Sequence, residues 1–332
     1  MVNRMYKFDN LKFLLILFVV VGHFVNLYCN QIYLCKKIFI FIYTFHMPLF
    51  IFISGLFTKK VEKIQDINIK KILFYLILII LMKTSIFFVC SHFNINMDFK
   101  LFSGDEDYWF LGSLIAYSLI IPIINKFNLK FLLFISIILG LFVGYDSTIT
   151  DYFYLSRIIV FFPYFLLGYI FSFNKKYLVN ICDKRLLKIM SIIIIVFVGW
   201  ICFFKLDSIY KYRMLFTARN SFSSFVFHCT YKDRLIVYFI SFIMGFSVMC
   251  LIPNKKIKII SNMGTRTLSV FVLHKTIIYF CLGIGLFDYL LLIFDNMFIY
   301  VYLILSVMLT FFLSLSIFNK LLKSFNHFIF ID

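Results

Sequence analysis

The feature that most constrains the fold of this chain is the recurrence of apolar runs long enough to cross a bilayer. In the run LKFLLILFVVVGHFVNLYC, from Leu11 to Cys29, almost every side chain is apolar. Similar runs of about 20 residues recur along the chain, which is the length that a transmembrane helix needs. Lipid offers no partners to backbone N–H and C=O groups, so only helices and closed barrels span membranes. Because a barrel would show short alternating segments instead, we predict an all-α, polytopic integral membrane protein.

We predict about ten transmembrane helices in a single domain that covers residues 1–332, with no soluble appendage. The first run has a basic start, as signal peptides do. It is too long for one, however, and no small-residue cleavage site follows it, so we expect it to remain as the first span. The predicted spans are residues 10–29, 37–58, 71–91, 108–125, 129–145, 155–173, 186–204, 234–252, 266–286 and 298–318.

The placement of charge predicts how these helices are oriented. The formal net charge is +18, which in a soluble protein would suggest nucleic acid as a partner. Here the cations flank apolar runs, so we expect no nucleic acid and a positive-inside arrangement in the lipid bilayer. With both termini cytoplasmic, 21 Lys and Arg residues fall on the inner side and 9 on the outer side. We therefore predict a multi-pass protein of the cytoplasmic (inner) membrane, with an acidic outer loop at 105–107.

One predicted outer loop, at about 205–233, is both basic and aromatic and carries most of the outer cations. Two interpretations remain open for it. The loop can lie at the membrane interface, with its rings and cations at headgroup level. Alternatively, it forms a lid or wall over an outward-facing site.

Two ionisable residues, Lys12 and His23, occur in the first span. Their spacing of eleven residues is about 20° more than three full helical turns, so both lie on one face, about 16 Å apart along the axis. An ionisable side chain is costly in the membrane, which makes His23 a candidate functional residue. The alternative is a neutral imidazole that hydrogen-bonds across a helix interface. Lys12 can also simply extend its ammonium from the helix end to the interface.

The second span, FHMPLFIFISGLFTKKVEK, contains a helix breaker and a small pair. Pro48 removes a backbone donor and should bend the helix. Ser54 and Gly55 allow a neighbouring helix or a ligand to approach closely. Lys60 and Lys63 follow at the cytoplasmic end, where they can bind an anionic ligand or serve only positive-inside topology.

Three later residues are further candidates. His274 lies midway along the ninth span and is a better candidate than its neighbour Lys275, because adjacent helical residues point about 100° apart. Arg157 lies at the outer end of the sixth span, where it can meet a polar substrate or simply snorkel. Trp109 opens the fourth span, and a tryptophan at that position is usually an interface anchor.

Together these motifs resemble the membrane acyltransferase-3 family, and within it the fucose 4-O-acetylase-like branch. FDNLKFLLILFVVVGHF is similar to the family's Asp-x-x-basic start with a basic-x10-His motif, and FHMPLFIFISG is similar to its second-helix signature. The segments WFLGSL, RIIVFFPYFLLGY and GTRTLSVFVLH follow in the family's order along nearly the whole chain.

The resemblance implies a ten-helix O-acyltransferase. Such enzymes transfer an acyl group, usually acetyl from cytoplasmic acetyl-CoA, to a sugar hydroxyl of a cell-surface glycan or of its lipid-linked precursor. This chain has Lys where many members have Arg. Lys lacks the planar guanidinium that can donate two parallel hydrogen bonds to one phosphate. The resemblance implies His23 as the catalytic histidine, Lys12 as the basic residue of the same motif, and Lys60 and Lys63 as the basic pair after Ser54 and Gly55. Apart from His23, we expect these residues on the acetyl-CoA side. From their positions in the predicted spans, we expect Trp109, Arg157 and His274 on the acceptor side.

A histidine suits this reaction because imidazole exchanges protons near neutral pH and can deprotonate a hydroxyl. His23 can act as a general base or as a transient acyl carrier. We favour the base, because direct transfer needs only one such group. The eight cysteines show no CxxC spacing, so we expect neither a disulfide framework nor a metal site.

Two other functions compete with acyl transfer. A polysaccharide polymerase or flippase would also have many spans and basic outer loops, but it would not need a cytoplasmic cation on the same helical face as a buried histidine. A transporter could use His23 and His274 to relay protons. It should also carry paired carboxylates in mid-span, whereas the acidic residues here fall at predicted helix ends or in loops.

Overall fold

The structure, a computed structural model, describes residues 4–96, 108–149, 151–225 and 227–330. All regular structure in these ranges is helical, which confirms the all-α prediction. The predicted acidic loop at 105–107 lies outside the described residues. The helices are α1 (Tyr6–Leu27), α2 (Tyr33–Tyr43), α3 (His46–Leu56), α4 (Ile69–His92), α5 (Trp109–Ile124), α6 (Leu129–Phe142), α7 (Leu155–Phe171), α8 (Lys175–Cys182), α9 (Arg185–Phe204), α10 (Leu206–Tyr210), α11 (Arg213–Thr217), α12 (Tyr231–Leu251), α13 (Lys258–Met263), α14 (Thr267–Gly283), α15 (Leu286–Phe294), α16 (Phe298–Leu313) and α17 (Ser316–Ile329).

Each of the ten predicted spans coincides with an apolar helix or helix pair. By length and composition, six helical segments of the described chain can cross a membrane. The number rises to eight if the bent pairs α14–α15 and α16–α17, with bends of 66° and 51°, each form one span. Helices α5 and α6 are apolar but shorter. The chain is thus a helical membrane protein, and the count of ten spans stays a prediction.

The second predicted span is broken between α2 and α3, close to Pro48. The proline lies in the first turn of α3 and has no N–H to donate to the carbonyl of Thr44, one turn earlier. Phe45, at the break, has φ −143° and ψ −26°, outside the helical range. The ring nitrogen Nδ1 of His46 lies 2.9 Å from the Ile42 carbonyl across the break. The helix is thus interrupted near Pro48 as predicted, although Tyr33–Leu56 still counts as one candidate span.

The chain divides into two compact units. Unit 1 comprises Met1–Phe39, Ile77–Leu101 and Pro253–Asp332, and in it α1 packs against α13, α14 and α16. Unit 2 comprises Ile40–Leu76 and Phe102–Ile252, and its main helix pairs are α3 with α7 and α9 with α12. Each unit has its own buried side chains.

In unit 1, a buried polar cluster fixes the start of α1. The Asn10 amide donates to the carbonyls of Pro253 and Lys255, at 3.1 and 3.0 Å, and its oxygen accepts from the Ser261 hydroxyl at 2.6 Å. Next to it, Gly264 packs so closely on the Asp9 carbonyl that a methyl group would overlap it. Because every hydrogen-bonding atom of the Asn10 side chain has a partner, this cluster sets the axial position of α1.

In unit 2, two glycines allow α3 and α7 to cross with their backbones in contact. A methyl group at Gly55 would overlap the Phe165 carbonyl of α7, and one at Gly168 would overlap the Phe52 carbonyl of α3. Small residues of this kind let membrane helices approach closely. The small pair predicted from the sequence therefore admits a neighbouring helix at Gly55.

The long loop at 205–233 is folded rather than extended. It contains α10 and α11, and its side chains Leu215 and Phe222 are buried in an apolar cluster that also includes Ile40 and Val237. A purely interfacial segment would expose such residues to headgroups and lipid. The loop is therefore packed on unit 2, and its role as a lid or wall over an outward-facing site stays a prediction.

Candidate active site

In unit 1, the structure brings together two of the predicted site residues, His23 of α1 and His274 of α14. Their ring centroids are 5.2 Å apart, with the planes tilted by 40°. His23 is half-buried, whereas His274 is completely buried. The two rings differ in accessibility, so an arriving reactant can meet His23 first.

The backbone defines which nitrogen of His274 carries the proton. Its Nδ1 atom lies 3.0 Å from the Val270 carbonyl and 2.9 Å from the Phe271 carbonyl. Carbonyl oxygens only accept hydrogen bonds, so Nδ1 must be the protonated nitrogen. In the neutral ring, Nε2 then holds a lone pair and can accept a hydrogen bond.

Aromatic packing holds α1 in place next to His23. The Tyr302 hydroxyl donates to the carbonyl of Phe24, the residue after His23, at 3.1 Å. The Tyr302 ring lies 4.9 Å from the Phe24 ring and 5.0 Å from the Phe287 ring. Side chains from α15 and α16 therefore limit movement of α1 close to the candidate catalytic residue.

Two lysines are buried in unit 1 within apolar helices. Lys275 follows His274 directly and is 7% exposed, and Lys83 of α4 is 6% exposed. Helices α4 and α14 are joined next to them by the hydroxyls of Ser85 and Thr276, which lie 2.9 Å apart. The histidine pair is thus part of a unit that buries several ionisable side chains.

Lys12 takes part in an ion-pair cluster in the first turns of α1. Its ammonium lies 2.9 Å from the Asp9 carboxylate, which also accepts from Arg4 at 2.8 Å. Asp9 is 7% exposed, and it shares its single negative charge between the two cations. Lys12 is therefore held in a fixed position, with part of its charge already neutralised.

Unit 2 contains four residues that the sequence predicts for the acetyl-CoA side, and the structure places them in two different environments. Lys60 and Lys63 are exposed after α3, and Lys60 pairs with Glu62 at 2.6 Å. This pairing raises the pKa of Lys60 and lowers that of Glu62. Ser54 donates to the Phe50 carbonyl of its own helix at 2.9 Å, and Gly55 faces α7. The lysines are accessible to a ligand, whereas Gly55 serves helix packing.

Unit 2 also brings together Arg157 and Trp109, the predicted acceptor-side pair. The Arg157 guanidinium lies 5.2 Å from the centre of the Trp109 ring and donates to Asp151 at 3.0 Å. Trp109 stacks on Phe161 at 4.9 Å. Arg157 is 2% exposed, so it does not snorkel, while the Asp151 side chain is 18% exposed. Asp151 is the accessible edge of this cluster.

An unusual turn brings Asp151 back to Arg157. Phe153 and Tyr154 both have positive φ angles, of 51° and 60°. Non-glycine residues rarely adopt this left-handed conformation, and two in succession are a local strain. The strain is accommodated because the Tyr154 ring packs where Gly112 has no side chain.

Sequence analysis assigned no role of their own to three charged residues, Asp9, Asp151 and Arg234, although Asp9 begins the Asp-x-x-basic motif. The signal for Asp9 was present in its spacing of three residues from Lys12, which puts both on one helix face. Asp151 gave only a weak signal, as an acid six residues before Arg157. Arg234 was counted among the outer-loop cations, but it is a buried residue in the first turn of α12.

Comparison with known proteins decides the family. The model of the acyltransferase domain matches residues 5–318, which is nearly the whole chain and includes both units. This protein belongs to the acyltransferase-3 family. No curated protein and no solved structure matches the sequence significantly.

As a member of the acyltransferase-3 family, the chain is an acyltransferase, and its apolar helices make it a multi-pass membrane enzyme. The match includes every candidate site residue predicted from the sequence. Among the residues that the structure describes, no three His, Cys, Asp or Glu side chains are grouped so that they could hold a metal ion. All eight cysteines are free thiols.

Proposed function

We propose that this membrane acyltransferase transfers an acetyl group from cytoplasmic acetyl-CoA to a hydroxyl of a cell-surface glycan or of its lipid-linked precursor, with His23 as the general base. The observation that carries the proposal is the contact between half-buried His23 and fully buried His274. An accessible imidazole supported by a second, enclosed imidazole is a suitable arrangement for proton transfer.

In the proposed step, His23 accepts the proton of the acceptor hydroxyl while the hydroxyl oxygen bonds to the thioester carbonyl carbon. The carbon–sulfur bond then breaks, and His23 returns the proton to the departing thiolate. The backbone carbonyls of Val270 and Phe271 hold His274 as the Nδ1–H form. The scheme requires the His23 ring, whose centroid lies 5.2 Å away, to turn so that one of its nitrogens donates to Nε2 of His274. The other nitrogen of His23 is then the base, and His274 is a positioning residue.

For the donor, exposed Lys60 and Lys63 supply cations for the phosphates of acetyl-CoA. Their accessibility supports this role. Lys60 pairs with an exposed carboxylate, that of Glu62. Lys12 is less exposed and pairs with the buried carboxylate of Asp9, so we assign Lys12 the weaker contribution. Replacing Lys60 and Lys63 together by Gln should raise the KM for acetyl-CoA and leave the kcat unchanged, because a uniform binding contact acts on KM. Exposed Lys70, changed to Gln, is the matched control.

For the acceptor, the carboxylate of Asp151 can accept hydrogen bonds from sugar hydroxyls. Arg157 fixes that carboxylate, and Trp109 stacks against the guanidinium on its other side. Arg157→Ala should therefore weaken use of the acceptor and leave binding of acetyl-CoA nearly intact.

For this scheme we also propose ten spans, cytoplasmic termini and an inner-membrane location. The positive-inside charge distribution supports this topology.

The proposed function is tested with vesicles that contain the purified protein. Acetyl-CoA consumption should depend on added glycan or lipid-linked sugar, and mass spectrometry should find an O-acetyl group on the acceptor. Cell-surface glycans from cells with and without the intact gene provide the second comparison. Consumption without acceptor acetylation, or identical glycans in both cells, would contradict the proposal.

A further inference from the structure

Arg234 of unit 2 is a buried cation with unused hydrogen-bond donors. It has no exposed surface, and only one of its nitrogens, Nη1, has a partner, the Leu215 carbonyl at 2.9 Å. Within the described part of the chain, Nε and Nη2 have none. The guanidinium also lies over the Phe222 ring, 5.5 Å from its centre. A buried charge with unsatisfied donors is strongly unfavourable, so a ligand that completes it is expected.

The two unused donors indicate the chemistry of that ligand. Nε–H and Nη2–H lie side by side on one edge of the planar guanidinium. This edge matches two oxygens of a phosphate or a carboxylate and forms two parallel charge-assisted hydrogen bonds with it. The nearest acid in sequence, Asp233, is occupied as the cap of α12, where it accepts from the Thr230 N–H and hydroxyl, both at 2.9 Å. The edge therefore suits an oxyanion from outside the described chain.

Below Arg234, the same face of α12 leads into an apolar cavity. Tyr238 and Ser241 follow Arg234 by four and seven residues, a distance of about 10 Å along the axis to Ser241. Tyr238 donates to the Val160 carbonyl of α7 at 2.7 Å, and its ring lies 5.6 Å from that of Tyr164. Tyr164 and Ser241 in turn line a cavity of about 80 Å³ between α3, α7 and α12. Its apolar lining includes Leu49, Phe52, Leu167, Phe171, Phe242 and Gly245.

We propose that Arg234 and this cavity form a binding site for a phosphate-bearing lipid, with the phosphate on the Nε–Nη2 edge and the apolar chain in the cavity. The cation at one end and the apolar cavity at the other fit the two ends of such a molecule. The inference rests on the proposed function and deepens it. It selects the lipid-linked precursor over the finished glycan, because the bound lipid would carry the acceptor sugar. The loop at 205–233, which covers Arg234 through Leu215 and Phe222, is then the wall that encloses the phosphate.

The site is tested by binding, without acetyl-CoA and without transfer. Farnesyl phosphate carries both features of the ligand, farnesol carries the chain alone, and inorganic phosphate carries the anion alone. Each is added to the full-length protein in detergent, and thermal unfolding is followed with a thiol-reactive dye, because seven of the eight cysteines are buried until the protein unfolds. Farnesyl phosphate should raise the Tm at concentrations at which farnesol and inorganic phosphate do not. Equal shifts from farnesyl phosphate and farnesol in the wild-type protein would overturn the proposal without any variant.

Three variants locate the ligand. Arg234→Lys keeps a positive charge and a donor for Leu215 but loses the two-pronged edge, so farnesyl phosphate should bind at least about tenfold more weakly. Gly245→Leu should block the cavity and also weaken binding, with Arg234 intact. Lys232→Gln removes an exposed cation from the same helical turn and should bind as the wild type does. If Arg234 serves only to hold the loop through its hydrogen bond to the Leu215 carbonyl, the Arg234→Lys protein will bind farnesyl phosphate as the wild type does. That result would overturn the proposed site.

Failure of this inference differs from failure of the proposed function. Intact farnesyl phosphate binding together with no acetyl transfer to any acceptor would contradict the acetyltransferase proposal and leave the lipid site standing. Unchanged acetylation by an Arg234→Lys protein that no longer binds farnesyl phosphate would overturn the role of the lipid as acceptor carrier.

Discussion

At the scale of single residues, the contact between His23 and His274 gives the two imidazoles different tasks. A base must reach the proton that it takes, and His23 is the half-buried member of the pair. His274 is enclosed, and two backbone carbonyls define its tautomer. A buried histidine that accepts from its neighbour can orient that neighbour and limit it to one reactive nitrogen.

We therefore expect His274→Leu to lower kcat by about 10- to 100-fold, less than loss of a general base, with little change in either KM. His274→Asn should retain more activity, because the amide oxygen can still accept a hydrogen bond. Steady-state kinetics with acetyl-CoA and acceptor varied in turn provide the check. Equal activities of the Leu and Asn variants, or losses confined to KM, would exclude a positioning role.

The Arg157–Asp151 pair gives a prediction about stability. Arg157 is 2% exposed, so replacing the Asp151 carboxylate by a neutral amide removes the anion to which this buried guanidinium donates. We expect Asp151→Asn to lower the free energy of unfolding by about 3 kcal/mol. The measurement is the thermal unfolding midpoint of the purified protein.

The matched control is Asp146→Asn. Asp146 is exposed, and hydrogen bonds from the Thr148 side chain and backbone hold its pKa below the ordinary value. It compensates no buried cation, so its replacement should shift the midpoint far less. Equal shifts of the unfolding midpoint for the two variants would show that the Arg157–Asp151 ion pair adds no more stability than an exposed carboxylate does.

At the scale of helices, the crossing of α3 and α7 in unit 2 depends on two close backbone contacts, one at Gly55 and one at Gly168. Gly55→Ala should destabilise the protein, because the new methyl group overlaps the Phe165 carbonyl and the helices must separate, at a cost of about 1–3 kcal/mol. Gly245→Ala is the control, since its methyl group would meet Leu49 Cβ at an ordinary 3.6 Å. Equal melting temperatures for both variants would contradict close packing of α3 on α7.

Much of this helical architecture could be predicted from the sequence, because hydrophobic runs and prolines act locally. All ten apolar segments are helical, and the break near Pro48 follows from a missing backbone donor. The short helices in loops could not be predicted in this way. Helix α11 is held by hydrogen bonds from Ser156 and Arg234 to carbonyls at its end, and these contacts come from distant parts of the chain.

In the candidate site, too, the features set by local sequence could be predicted and those set by packing between helices could not. The face shared by Lys12 and His23 follows from helix geometry alone, and the sequence indicates both residues. That His274 of another helix touches His23 depends on packing between α1 and α14, which no local pattern encodes. The burial of Arg234 likewise requires Leu215 and Phe222 to fold over it, so the sequence suggested only an outer cation.

At the scale of the whole molecule, the proposed scheme requires the loop at 205–233 to face the outside. In a background freed of the other reactive cysteines, Ser223→Cys should react with a membrane-impermeant maleimide added to the outer face only, since Ser223 is exposed. Labelling from the cytoplasmic face alone would overturn the proposed orientation.

Native Cys229 provides the internal control in the same loop. Burial raises the pKa of its thiol to about 11, so at pH 8 it remains a neutral, enclosed thiol. The reactive thiolate forms only as the pH rises towards that value, and we therefore expect negligible labelling of Cys229 at pH 8 from either face. Rapid labelling of Cys229 at pH 8 would show that the loop is not folded over unit 2.

The central claim is that His23 performs the proton transfer in an acetyl transfer reaction. The most direct test is the rate of acetyl transfer from labelled acetyl-CoA to acceptor by vesicles that contain wild-type protein, His23→Ala or His92→Ala. His92 is an exposed histidine of the same unit and serves as the matched control. We predict that His23→Ala inserts normally but transfers acetyl groups about 10²- to 10⁴-fold more slowly, whereas His92→Ala keeps the wild-type rate. A correctly inserted His23→Ala protein that transfers acetyl groups at the wild-type rate would contradict the account.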